Sequence, residues 1–246
     1  MVEQALKTKG YAVFAPEPAV SAWADAAYRV GCEVLQGAGE RRHGRTWFVG
    51  VDALPNATDG SVAGVPLAGA WLDHVAAPQQ WHLAQLSVVF PGYPRRDADE
   101  SDAAHRYRRN RDAAHVDGLL AVGPEKRRYL QEPHGFIVGF PLNHVPASPL
   151  VVWEGSHVMM RAAFAGVFAN HAPDTWDKID VTDVYQATRK VIFEACPRVE
   201  ITARPGQAIL LDRHLVHGVA PWDADQHGDM RMMAYFRPLI APQDWL

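Results

Sequence analysis

The sequence predicts a mainly β protein with flanking helices, organised as a barrel or a double-sheet jelly roll. Three observations carry that expectation. From His82 onward, short β-branched and apolar runs recur between Gly/Pro turns, the pattern of a double-sheet or closed β architecture. Helical periodicity is confined to the N-terminal part and to two excursions inside the β-rich part. No internal repeat, low-complexity linker or composition break divides the 246 residues, a length that barrel and sandwich folds commonly reach as one unit. The expected organisation is one domain over 1–246, with helical and strand support over about 1–80 and a jelly-roll core over about 81–240.

In chain order, Tyr11–Phe14 reads as a short strand. Ala19–Leu35 sets Trp23, Ala27, Val30 and Val34 at near-helical spacing and reads as a helix. Gln36–Gly44, with its glycines and charges, reads as a loop, Trp47–Val51 as a strand and Asn56–Gly64 as a run of turns. Val65–Val75 is expected to be helical, with Pro66 in the first turn, where proline is tolerated. His82–Phe90 is a strand ended by Pro91-Gly92. Arg95–Arg111 is densely charged and predicts a solvated loop or short helix, its functional reading being a mobile flap beside a site. Ala113–Leu120 is expected as a strand and Pro124–Gln131 as a helical turn. Phe136–Leu142 and Leu150–Trp153 are strands, and His157–Ala169 and Val181–Glu194 are the helical excursions. Val199–Ala203 and Gln207–Leu211 read as a hairpin turned at Arg204-Pro205-Gly206. Leu215–Val219 and Met230–Arg237 close the β-rich part.

Composition argues against several function classes. The formal net charge is −4, so the basic surface expected of a nucleic-acid partner is missing. No apolar run reaches the roughly 20 residues of a membrane span, and the N-terminus has no signal-peptide pattern. Two distant cysteines, Cys32 and Cys196, make no disulfide scaffold and read as buried small apolar residues. A cytoplasmic protein is the expectation.

The motif that carries chemistry is His115-Val116-Asp117. On an extended segment, residues i and i+2 share a face, so an imidazole and a carboxylate enter one space. A second, remote histidine would complete two nitrogens and one oxygen on one side of a metal. Three positions then stay open, as in non-haem iron(II) oxygenases. With twelve histidines in the chain, His-x-Asp alone is a weak signal. His227-Gly228-Asp229 repeats it in a polar, turn-like segment with no histidine after it and is set aside as a loop. Downstream of the first copy come the Pro205-Gly206 turn, a strand, His214 and His217, then Arg231 inside an apolar strand. His214 and His217, three apart, would face opposite sides of one strand. Arg231 needs a carboxylate partner if buried, either a protein side chain or a ligand held by both arms of the guanidinium. Gln85 and Ser87 share one face of their strand and either line a pocket or face solvent.

The order His-x-Asp, Glu154-Gly155-Ser156-His157, Pro205-Gly206-Gln207 and strand, His217-Gly218, then Arg231 resembles the phytanoyl-CoA dioxygenase family of iron(II)- and 2-oxoglutarate-dependent oxygenases. The resemblance spans roughly Leu6 to Pro238, and the opening LKTKGYAVFAPEPAV also looks like that family's N-terminus. It implies a double-stranded β-helix, a jelly-roll or cupin-like core with helices packed on one side. It implies that His115, Asp117 and His217 hold catalytic iron(II), His217 being preferred to His214 because glycine follows it. It implies that Arg231 binds the distal carboxylate of 2-oxoglutarate, with Gln85 and Ser87 as lining residues. The gap from His217 to Arg231 is longer than the family's, and Trp222–Asp229 reads as an inserted loop, so Arg237 is the alternative. The family places the His157 segment near the metal; a surface histidine behind a capping Ser156 is the other reading.

The implied activity is hydroxylation of a small molecule with O2, releasing succinate and CO2. Asp117 separates the chain from related halogenases, which lack this carboxylate. Two further classes are carried: a cupin-like metal enzyme that makes no use of 2-oxoglutarate, and a non-catalytic small-molecule binding module on the same fold. The substrate is not legible. Arg106, Arg108, Arg109 and Arg111 form a candidate anion patch.

Overall fold

The computed structural model describes residues 1–38 and 41–246. Two antiparallel sheets face each other. The larger contains β1 (Tyr11–Val13), β2 (Trp47–Leu54), β3 (Ala84–Val89), β6 (Ile137–Pro141), β9 (Ile209–Leu211) and β11 (Arg231–Phe236), in the order β1-β9-β6-β11-β3-β2. The smaller contains β7 (Leu150–Trp153), β8 (Arg198–Ile201) and β10 (His217–Val219), in the order β10-β7-β8. A separate hairpin pairs β4 (Leu119–Val122) with β5 (Arg127–Leu130). Helices α1 (Val2–Lys9), α2 (Pro18–Gly37), α4 (Asp102–Asn110), α5 (Ser156–Phe168) and α6 (Thr182–Ala195), with a short distorted helical turn α3 (Arg42–Arg45), complete the order. This is the expected jelly-roll core with flanking helices, except that the helices cover both sheets and not one side, α2 packing on the large sheet and α5 and α6 on the small one. No helix of the described residues is long and apolar enough to cross a membrane.

Strand alternation sorts the core into layers. On β11, Met232, Ala234 and Phe236 turn outward and join Trp23, Ala24 and Ala27 of α2 in one apolar cluster. Met233 and Tyr235 turn inward and meet Leu150, Val152 and Ile201 of the small sheet. The small sheet's outer residues Val151 and Trp153 pack with Phe164 of α5 and with Tyr185 and Ile192 of α6. Fully buried side chains such as Trp23, Trp153 and Phe236 each contribute about 1.5–3 kcal/mol to this sandwich.

Several expected elements are corrected. The N-terminal part is more than support, because β1 and β2 are the two edges of the large sheet. The loop expected at 36–44 begins inside α2 and ends in α3; its residues 39 and 40 lie outside the described residues. Val65–Val75 forms no α-helix. Val65 pairs with Val62, Gly69 sits at φ 145°, and only Ala70–His74 winds into a 3-10 turn. The 113–120 segment is not a continuous strand. Asp112, Ala113 and Gly118 have φ of 55°, 52° and 84°, which interrupts a ladder, and His115 alone bridges to His217. The helical turn expected at 124–131 is a hairpin arm, since Arg127–Leu130 pairs with Leu119–Val122. The Arg204-Pro205-Gly206 turn makes no hairpin either: β8 pairs with β7 in one sheet and β9 with β1 and β6 in the other.

Candidate metal centre

His115 and His217 are brought together by two backbone hydrogen bonds. The His115 N–H donates to the His217 carbonyl at 2.8 Å and the His217 N–H to the His115 carbonyl at 3.0 Å. His217 opens β10, opposite Val152 of β7. Asp117 follows two residues after His115 and meets both rings. Its Oδ1 is 3.1 Å from His115 Nε2 and its Oδ2 3.8 Å from His217 Nε2. One ligand atom from each of the three residues lies within 4.8 Å of the other two.

The ring nitrogens are oriented for coordination. His115 Nδ1 lies 3.0 Å from the Ala113 carbonyl and His217 Nδ1 2.9 Å from the Leu215 carbonyl. A carbonyl only accepts, so each Nδ1 carries the proton and each Nε2 turns a lone pair inward. Two lone pairs and a carboxylate then converge with no proton between them, a donor set that fits a divalent cation. Burial pushes the Asp117 carboxyl up, but the adjoining His115, His217 and Arg237 hold it well below the usual carboxylate range. Burial, partly offset by Asp117, pushes His217 down to about 4. Near neutral pH the set is therefore one anion and a neutral imidazole at His217.

A cavity of about 190 Å³ opens from these residues between the sheets. Gln85 and Ser87 line it from β3, as one reading of their strand face required. Ser87 Oγ accepts a hydrogen bond from Trp47 Nε1 at 3.1 Å. The two arginines are divided. Arg237 lines the cavity, with Nη1 3.3 Å from Asp117 Oδ2. Arg231, on the same inward face at the other end of β11, does not line it. It is 5% exposed, forms no ion pair among the described residues, and its Nη1 is buried without a partner. Its register partner Val89 is also the partner of Trp47, so Arg231 lies one strand away from the cavity's Trp47 wall.

Sequence reasoning missed Trp47, Tyr93 and Asp112 in this cavity. The alternation of Trp47, Val49 and Val51, all of which line it, was the available signal. Asp112 is clamped by Arg198, whose Nε and Nη2 donate to its two oxygens at 2.7 and 2.8 Å, while its backbone carbonyl accepts from Val219 of β10. Arg198→Ala would leave a carboxylate whose side chain is 3% exposed without a counterion. A loss of about 2–4 kcal/mol is expected in urea unfolding, below the extreme for a buried pair because the arginine side is half in water. An unchanged midpoint would remove this clamp from the account.

Other singled-out residues lie elsewhere. His214 is neither a metal neighbour nor outward: it is buried against Trp245, ring centroids 4.4 Å apart. His157 is also buried, 3.2 Å from the Lys7 carbonyl, and so is neither at the metal centre nor on the surface. Gly155, not Ser156, caps α5, and Ser156 Oγ accepts from the Val216 N–H. Asn143 clamps the start of β11 through Met230 and Met232. His227 and Asp229 are exposed, as expected for a loop. Of the basic cluster, Arg108 pairs with Glu100 and Arg111 stacks over Phe193. The charged segment forms α4, capped by Ser101 and tied to the loop that carries His115 by Tyr107, whose hydroxyl donates to the Ala114 carbonyl at 2.7 Å. Cys32 and Cys196 are free and half-buried.

Burial lowers His43, His134, His214 and His217 below the ordinary imidazole value. The unfolded chain takes up these protons near pH 6.5 and the folded chain does not, so stability falls as pH drops through that value. The metal-free protein should melt several degrees lower at pH 5.5 than at pH 7.5, and His214→Gln should flatten the difference. A melting temperature that rises on acidification would contradict this.

No family model matches the chain, and no curated protein matches it in sequence. Solved structures do. The non-haem α-ketoglutarate-dependent carbocyclase SnoK from nogalamycin biosynthesis superposes with a TM-score of 0.53 at 16% identity, over 96% of this chain and 81% of that one. EctD from S. alaskensis with bound iron gives 0.46 at 17% identity, over 95% and 74%. HygX from Streptomyces hygroscopicus, with nickel, 2-oxoglutarate and hygromycin B bound, gives 0.44 at 11% identity, over 96% and 85%. The SnoK likeness carries the comparison and agrees with the two-sheet topology: this chain has the jelly-roll, cupin-like fold.

Proposed function

We propose that this chain is an iron(II)- and 2-oxoglutarate-dependent oxygenase that hydroxylates a small molecule. The observation that carries this reading is the convergence of two inward Nε2 lone pairs and one ionised carboxylate within 4.8 Å. His115, Asp117 and His217 are the ligand set, and a metal held by three groups on one side keeps open positions for other ligands. When bound, iron(II) and 2-oxoglutarate would supply the oxidising power: the cosubstrate is cleaved to succinate and CO2 as one atom of O2 enters the substrate. SnoK is α-ketoglutarate-dependent, which supports the reading at the level of chemistry.

The chain's own groups divide the remaining work. Arg231 is a buried guanidinium that lacks a counterion among the described residues, so it suits the distal carboxylate of 2-oxoglutarate. Arg237 is less suited, because Asp117 already takes its charge. Ser87 and Gln85 offer polar contacts along the path, and Trp47, Val49, Ile137 and Leu150 keep it largely dry. Asp117 keeps a carboxylate in the ligand set, which favours hydroxylation over halogenation.

The test is anaerobic addition of iron(II) and 2-oxoglutarate. A weak visible metal-to-ligand charge-transfer band is expected in the wild type. Arg231→Ala should weaken 2-oxoglutarate binding by roughly ten-fold or more, a loss of about 1.4 kcal/mol, with Arg237→Ala affecting it less. Absence of the band in the wild type would end the cosubstrate proposal. One observation favours a second reading, a metal enzyme without 2-oxoglutarate: Arg231 does not line the cavity of the metal centre. Turnover of 2-oxoglutarate to succinate separates the two.

A further inference from the structure

A second cavity, of about 350 Å³, adjoins the metal cavity and shares Val51 and Arg237 with it. Its polar wall consists of Asp52, Gln80, His82, Glu132, His134 and Arg237, of which Gln80 is exposed to solvent. His134 is the informative residue. It is 6% exposed, and its Nδ1 lies 2.9 Å from the Arg237 carbonyl. A carbonyl only accepts, so Nδ1 carries the proton and Nε2 presents a lone pair. That Nε2 is buried without a hydrogen-bond partner, 3.4 Å from Glu132 Oε2. Two acceptors therefore face each other with no donor between them, an arrangement that an external donor group relieves.

His82 adds no donor there. Its Nε2 accepts the Arg237 N–H at 2.8 Å, and its Nδ1 is committed to the Leu83 carbonyl at 2.7 Å. The charge balance is equally one-sided. Asp52 and Glu132 bring two carboxylates, while the one arginine or lysine on the wall, Arg237, is paired with Asp117 through Nη1 and keeps a buried, unpartnered Nε. A positively charged donor satisfies both the unfilled acceptors and the excess negative charge.

We infer that this cavity is the anchoring subsite of the substrate and takes a primary or secondary ammonium group between Glu132 and His134, so that the enzyme acts on an amine-bearing small molecule. The identification of the occupant as substrate rests on the oxygenase reading; the ammonium site itself does not. Arg237 stands at the junction, so an amine anchored in the second cavity extends its carbon skeleton past Val51 toward the metal centre.

The test uses the full chain and matched pairs of probes: cyclohexylamine with cyclohexanol, putrescine with butane-1,4-diol, and glucosamine with glucose. Saturation-transfer NMR on metal-free protein reads binding. Broadening of the same probe signals by manganese(II) reads proximity to the metal centre, and manganese titration alone reads the metal ligands. At least one amine should bind ten-fold or more tighter than its alcohol and be broadened by manganese. Glu132→Gln, a substitution at a half-exposed side chain, should weaken that amine at least ten-fold and leave manganese affinity unchanged. Asp52→Asn is the second variant, with a smaller loss. Equal binding of amines and alcohols, no binding across the panel, or an amine insensitive to Glu132→Gln overturns the inference. Amine binding in a protein that takes no manganese would support the ammonium site and sink the oxygenase reading.

Discussion

Asp117→Ala is expected to lose iron(II) and, with it, all 2-oxoglutarate turnover. Asp117 is the anionic member of the proposed ligand set, and His115, His217 and Arg237 hold it ionised against the burial that opposes its charge. Its removal leaves two imidazoles, which bind a divalent ion far less firmly than a facial set with a carboxylate. Loss of an outer hydrogen-bond partner typically costs about 10–100-fold in metal affinity, so loss of a direct ligand should cost more. The same change leaves Arg237 beside the imidazoles without its carboxylate, and positive charge there opposes a cation further. Anaerobic equilibrium dialysis and metal analysis provide the readout. Stoichiometric iron retained by Asp117→Ala, at wild-type affinity, would exclude Asp117 as a ligand. His217→Ala should behave alike, with the added loss of a buried ring from the cavity wall.

The second large effect concerns folding. Gly118, immediately after Asp117, has φ +84°, and a Cβ placed there would sit 2.2 Å from the Glu132 carbonyl oxygen. That oxygen belongs to the backbone and has little room to move, because the N–H groups of Gln131 and Glu132 both donate to the Gly118 carbonyl. Gly118→Ala therefore combines left-handed strain of about 1–3 kcal/mol with overpacking of about 1–3 kcal/mol. A combined loss of about 3 kcal/mol or more should lower the melting temperature by roughly 6–12 °C in a chain of this size. Because the clash lies next to Asp117, metal affinity should fall as well. A variant that melts within a degree of wild type would show that the turn has an alternative conformation.

Much of the architecture was legible because it rests on local pattern. The alternation of Met232, Ala234 and Phe236 with Arg231, Met233 and Tyr235 announced a strand buried on both faces. The apolar spacing of Trp23 and Ala27 announced the helix that covers the large sheet. Errors cluster where non-local pairing overrides propensity. Arg127–Leu130 has a helical composition but gains more by pairing with Leu119–Val122. Arg204-Pro205-Gly206 is a sound turn, yet nothing within it says that the strands on either side belong to different sheets.

By itself the sequence determined the alternation that builds two facing sheets and, by local spacing, the pairing of His115 with Asp117; His217 joined the candidate metal set through the family resemblance. Only the tertiary structure decided that His115 and His217 exchange backbone hydrogen bonds, that Arg237 rather than Arg231 touches Asp117, and that Glu132 and His134 meet in the wall of a second cavity. The physical reason is common to all three. Which side chains converge depends on strand register and on loop residues forced to positive φ, and both are set by packing between segments remote in the chain.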